Sequence, residues 1–167
     1  DNIYHKPNIT LGEKGYLSCK NLRHPIIEKI SDTVYTPNDI TIGKDMNGML
    51  LYGVNAVGKS SFMKSVGILA IMAQAGMYVP AEELVYSPYK YLFTRILGND
   101  NIYKGQSSFA VECSELNNIL RRSDENSLIL GDELCKGTEN ISAYSIVSAG
   151  ILKLAERKSD FIFATHL

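Results

Sequence analysis

Residues Gly53-Val54-Asn55-Ala56-Val57-Gly58-Lys59-Ser60 fit G-x-x-x-x-G-K-[ST], a spacing whose chemistry is the holding of phosphate. Glycines let the backbone turn tightly, so that successive N–H groups surround anionic oxygens. Lys59 offers a positive charge to the outer phosphates, and the Ser60 hydroxyl suits a Mg²⁺ ligand. The predicted cradle is Gly53, Asn55, Ala56, Val57, Gly58, Lys59, Ser60 and Ser61, and the expected ligand is a nucleoside triphosphate with Mg²⁺. Two further polar pairs stand behind apolar runs. Asp132-Glu133 follows Leu128-Ile129-Leu130, and Thr165-His166 follows Phe161-Ile162-Phe163-Ala164. An Asp at such a point can join the metal shell, and the adjacent Glu can take a proton from an attacking water. His166 is then placed to meet the terminal phosphate or that water. Read alone, the Asp-Glu pair would be a solvated helix start and His166 a surface histidine.

These residues need strands that end together and a helix that begins at the loop. The run Met49-Leu50-Leu51-Tyr52 reads as a strand before the loop. From about Ser60 to Ala75 the chain predicts a helix that is apolar nearly all round, with Phe62, Met63, Val66, Ile68, Leu69, Ile71 and Met72. Such a helix is expected to be buried on several sides, and Gly76 is a fitting stop. Leu128–Leu130 and Phe161–Ala164 are continuously apolar, as strands covered on both faces of a parallel sheet should be. Ala143, Val147, Ile151 and Leu154 recur at helical spacing between them. Ligands of open α/β sheets bind at the carboxyl ends of strands, where all the polar clusters fall. Residues 1–48 differ: Gly12, Gly15, Pro25, Pro37-Asn38-Asp39 and Asn47-Gly48 separate short β-type runs such as Tyr16–Leu22 and Ile40–Ile42. The expected division is a β-rich part over 1–48 and a phosphate-loop nucleotide-binding core over 49–167.

Composition narrows the function. With 167 residues, 45% of them hydrophobic, the chain can bury one core. A net charge of −1 gives no basic footprint for nucleic acid. Cys19, Cys113 and Cys135 lack C-x-x-C spacing, which argues against a zinc site or disulfide framework and for a reducing, intracellular compartment. The apolar stretch Val66–Val79 is too short to span a bilayer. The chain opens on Asp1, and it reads as a piece of a longer polypeptide.

A larger ordered set then stands out: Met72-Ala73-Gln74-Ala75-Gly76, Val79-Pro80-Ala81-Glu82 and Phe93-Thr94-Arg95-Ile96. It continues through Ser107-Ser108-Phe109-Ala110-Val111-Glu112, Asp132-Glu133-Leu134-Cys135-Lys136-Gly137-Thr138 and Ala164-Thr165-His166. Upstream it includes Arg23-His24-Pro25-Ile26-Ile27-Glu28 and Pro37-Asn38-Asp39. This set resembles the ATPase domain of MutS-type DNA mismatch-repair proteins. The resemblance implies an ABC-type phosphate-loop NTPase fold, α/β with a mainly parallel central sheet flanked by helices. It implies Mg²⁺-dependent ATP hydrolysis at a site shared between two subunits, which switches a DNA clamp. Asn55 matches the asparagine that arranges the metal and γ-phosphate surroundings. Ser107 matches the signature serine that meets the phosphate bound by the partner; its plainer reading is a helix N-cap. Tyr35 matches the aromatic that stacks on adenine; its plainer reading is a half-buried strand tyrosine. His24 belongs to an element that looks architectural. The expected partners are a second MutS-like subunit and mismatched or damaged DNA, the latter met through domains outside this chain.

The loop departs from the family's pattern. Val54 stands for a proline, Val57 for a further glycine and Ser61 for a threonine, which suggests a stiffer loop and a divergent branch. Two alternatives accompany the main reading. One is a nucleotide-gated assembly module without hydrolysis. The other is a transporter or SMC-type ABC ATPase, whose Leu-Ser-Gly-Gly-Gln-like signature differs from Lys104-Gly105-Gln106-Ser107-Ser108 here.

Overall fold

The computed structural model describes residues 3–54, 57–96, 108–132 and 140–165. Two four-stranded sheets enclose one helix. The first runs β1 (Asn8–Ile9), β5 (Glu83–Ser87), β2 (Tyr16–Leu22), β3 (Asn38–Ile42) in spatial order. Within it β2 is antiparallel to both β3 and β5. The second runs β4 (Gly48–Leu51), β8 (Asp160–Ala164), β7 (Ser127–Asp132), β6 (Tyr91–Arg95), and every pairing in it is parallel. The fold is therefore α/β with a parallel sheet flanked by helices, as expected from the continuously apolar runs.

The helix α2 (Lys59–Gln74) occupies the space between the sheets. Met63, Val66 and Leu69 are fully buried, packed in one cluster with Leu17, Leu22 and Ile42 of the first sheet and Leu128, Leu130 and Ile162 of the second. Each such side chain contributes about 1.5–3 kcal/mol relative to exposure. That double covering is why α2 lacks a polar face of normal width. It ends where Gly76 takes φ +77° and Met77 N–H bonds back to the Met72 carbonyl at 2.9 Å.

Side chains alternate across the parallel sheet. Leu128, Leu130 and Ile162 face α2, whereas Ile129, Phe161 and Phe163 meet the other face's cluster with Ile119 and Leu154. Those last two lie on α3 (Ser108–Arg122) and α4 (Asn140–Glu156). A single turn of helix, α1 (Ile27–Ile30), leads out of the Arg23-His24-Pro25 element. Among the described residues no helix is long and apolar enough to cross a membrane.

Candidate functional site

The parallel sheet sets its strands in a register that matters for chemistry. Ala164 of β8 is paired with Leu51 of β4 on one side and with Asp132 of β7 on the other. Strand exits that are 113 and 32 residues away along the chain from Ala164 and Ala164 itself thus form one edge. Thr165 N–H then bonds the Leu51 carbonyl at 3.1 Å, tying the chain after β8 to the start of the loop. Asp132 is 6% exposed, so its carboxylate lies at the sheet's rim rather than free in solvent.

Gly53 and Gly58 frame the turn from β4 into α2. Gly53 has φ +147° and Gly58 has φ +97°, backbone that a side chain would strain. Gly58 is the N-cap of α2, without any side-chain cap, and the first turn carries no acidic residue. The first intrahelical bond is Phe62 N–H to the Gly58 carbonyl, at 2.8 Å. The N–H groups of Lys59, Ser60 and Ser61 precede it, at the positive end of the helix dipole, which suits an anion. Lys59 folds back over the loop, donating from Nζ to the carbonyls of Gly53 at 2.5 Å and Val54 at 3.0 Å.

Val57 is not among the described non-glycine residues with positive φ, which are Asn21 and Lys158. A glycine's freedom is therefore unused at that position. Val54 and Val57 are both exposed. Ser61 is half-buried in the first turn of α2.

Tyr35 reaches the same helix. Its hydroxyl shares a 3.4 Å hydrogen bond with Ser65 Oγ, which in turn donates to the Ser61 carbonyl at 2.8 Å. An open cleft of about 1100 Å³ runs between them, bordered by Tyr35, Val34, Met49, Val57, Lys59 and Ser61 among others. The cleft thus brings Val57, Gly58, Lys59 and Ser61 of the predicted phosphate cradle together with the predicted aromatic, 24 residues apart in sequence from Tyr35 to Lys59. Val34 also lines the cleft and Ser65 holds the Tyr35 hydroxyl, and sequence reading missed both. No motif marks them, because their role depends on how the segment after α1 folds over α2.

His24 supports this segment from behind. It is 6% exposed, and its Nδ1 accepts the N–H groups of Ile26 and Ile27, each at 3.3 Å. Nearby, the fully buried Glu28 carboxylate accepts from Arg23 Nε at 2.7 Å and from the Tyr4 hydroxyl at 3.0 Å. Cys19 is buried in the core, and desolvation pushes its thiol up to about 12, which leaves it an inert packing residue.

Asn55, Ala56, Ser107, Glu133 and His166 lie outside the described residues. Among those described, no group of three or more His, Cys, Asp or Glu is arranged to hold a metal ion. Ser60 and Asp132 provide hard oxygen donors of the kind Mg²⁺ takes in small number, with waters and phosphates completing its shell.

The family profile described as MutS domain V matches residues 49–167. A mutS homolog of Acanthamoeba polyphaga mimivirus is 45% identical over 98% of this chain. The mitochondrial DNA mismatch repair protein mutS homolog of Sarcophyton glaucum is 43% identical over 98% of it. The DNA mismatch repair protein MutS of Caldicellulosiruptor saccharolyticus is 42% identical over 99%. The chain spans only 18%, 17% and 20% of the lengths of these three relatives, respectively. With the profile covering most of its residues, the chain belongs to the MutS family.

Proposed function

We propose that this chain is the ATP-binding and ATP-hydrolysing part of a MutS-type mismatch-repair protein, with an ABC-like phosphate-loop NTPase fold. The observation that carries the reading is the common edge: Leu51, Ala164 and Asp132 in register, with the uncapped start of α2 beside them. Residues 49–167 form the nucleotide-binding core in this reading, and 1–48 form its β-rich accessory part, which contributes Tyr35.

The residues divide the work. Loop N–H groups from Gly53 to Ser61, with Asn55, Ala56, Val57 and Gly58 between, surround the phosphates. Lys59 exchanges its two loop carbonyls for phosphate oxygens when the nucleotide arrives. Tyr35 offers its ring to adenine. Ser60 and Asp132 would hold Mg²⁺, which when bound neutralises charge on the outer phosphate oxygens. Glu133 accepts the proton of the water that attacks the γ-phosphorus, while the bond to the β-phosphate oxygen breaks and ADP leaves with that electron pair. His166 orients the water or the leaving phosphate. Ser107 acts on the nucleotide of a second MutS-like subunit. DNA is met by parts of the protein outside this chain, in a reducing intracellular compartment.

Two substitutions test the assignment. Glu133→Gln keeps shape and removes the proton acceptor, so ATP binding persists while phosphate release falls about 10²–10⁴-fold. Lys59→Ala removes a charge-assisted contact and weakens ATP binding itself by about 10–100-fold. Unchanged phosphate release in Glu133→Gln removes Glu133 from catalysis, and unchanged affinity in Lys59→Ala removes the loop from phosphate binding.

A further inference from the structure

Arg95 is the last residue of β6 and pairs in register with Gly131, the residue before Asp132. Its guanidinium reaches α3. Nε contacts a Glu115 carboxylate oxygen at 2.7 Å and a terminal nitrogen approaches Glu112 at 3.8 Å. The Arg95 and Glu112 side chains are 19% and 7% exposed, so this contact lies in poorly solvated surroundings; Glu115 is half exposed. Farther back on the same strand, the Arg122 guanidinium lies 5.9 Å from the centre of the Phe93 ring. Going from Phe93 to Arg95 approaches the carboxyl edge, and going from Arg122 to Glu112 approaches the start of α3. The helix therefore runs opposite to β6, and its first turn points toward the edge that carries Asp132.

We propose that Arg95 is a positioning residue that sets the height and tilt of α3's first turns over that edge. Ser107 is the residue before α3 in the chain, so the helix that this latch steadies is the one to which the serine is joined. This inference rests on the shared-site reading above. A guanidinium suits the task because its planar fork can engage two carboxylates with fixed geometry, whereas an ammonium acts as a point charge. The pair Glu112 and Glu115 lies three residues apart on one helix face, which matches the reach of a single fork.

The test combines a structural and a kinetic readout. In Arg95→Ala, amide hydrogen exchange over residues 108–115 should rise about tenfold, while exchange in α2 stays unchanged. Nucleotide affinity should stay within about twofold and kcat should fall about tenfold, the pattern of a lost transition-state arrangement rather than lost binding. Arg95→Lys should recover part of both effects. Glu115→Gln, at a half-exposed position that the fold tolerates, should move both in the same direction by a smaller factor. Unaltered exchange over 108–115 in Arg95→Ala and Glu115→Gln overturns the latch, as does faster exchange with unchanged kcat. If the unmodified protein fails to bind ATP, the functional reading fails, and the exchange arm still decides whether Arg95 holds α3.

Discussion

His24 shows how one side chain can govern the segment that bears the candidate base-stacking tyrosine. Its Nδ1 accepts two backbone N–H groups, which requires that nitrogen to be unprotonated. Burial, helped by the nearby Lys64 charge, holds the ring's pKa below its ordinary value of 6.5. The unfolded chain therefore takes up the proton first, and stability is lost as pH falls through the unfolded value toward the lower folded one. Urea stability should decline between about pH 7 and 5 in the unmodified chain. His24→Asn places an amide oxygen near the Nδ1 position, accepts the same N–H groups and does not titrate; its decline over that range should be visibly shallower. Parallel curves would remove His24 as the group responsible. The sequence already marked His24 as architectural, but not as a cap. An acceptor role toward residues two and three positions on appears only once Pro25 and Ile26 have made their turn. For the same reason Lys59 was legible from its motif, whereas Ser65, with no motif around it, emerged only as the partner of Tyr35.

At the scale of elements, the strands that deliver the loop and Asp132 are held together at their opposite ends by Asp160. This fully buried carboxylate, first in β8, accepts from Lys14 Nζ at 3.1 Å, Asn47 Nδ2 at 2.6 Å and the Tyr89 hydroxyl at 2.7 Å. Lys14 precedes β2, Asn47 precedes β4 and Tyr89 links β5 to β6, so the cluster joins both sheets. Asp160→Ala leaves those donors without their acceptor and should cost about 3–5 kcal/mol in chemical denaturation. Tyr89→Phe, which removes one donor, should cost about 1–3 kcal/mol. Both variants should keep nucleotide affinity, because the cluster lies at the amino edge. A cost under about 1 kcal/mol for Asp160→Ala would show that packing alone holds the sheets. The sequence revealed the strands with continuous apolar runs, β4, β7 and β8, along with β2, β3 and the helices α2, α3 and α4. It did not reveal that β5, which follows α2 in the chain, lies between β1 and β2. Strand pairing is a long-range choice, and Glu83–Ser87 carries no local mark of which sheet it joins. Nor did the sequence mark Asp160 as buried, since a charged residue at a strand start ordinarily faces water.

For the molecule as a whole, the first turn of α3 points toward the carboxyl edge that carries Asp132, as a site completed by a two-fold partner requires. In the shared-site reading, Lys59 of one subunit works with Ser107 of the other. Lys59→Ala alone, or Ser107→Ala alone, then damages both sites of a symmetric dimer. Mixing the two mutant proteins and allowing subunits to exchange produces three species. About half the dimers are mixed, and each of these has one doubly damaged site and one intact site, because the Lys59→Ala subunit still lends a normal Ser107. About half of the dimers with one working site of two gives about a quarter of the unmodified phosphate-release activity if the sites act independently. Coupling between sites would lower the figure without abolishing recovery. The measurement requires proof of exchange, for example by energy transfer between differently labelled subunits. If exchange is complete and activity stays at the average of the two mutants, Ser107 works within its own subunit or not at all. The same result would leave the phosphate loop's role intact, since that rests on Lys59 and the start of α2 within a single chain.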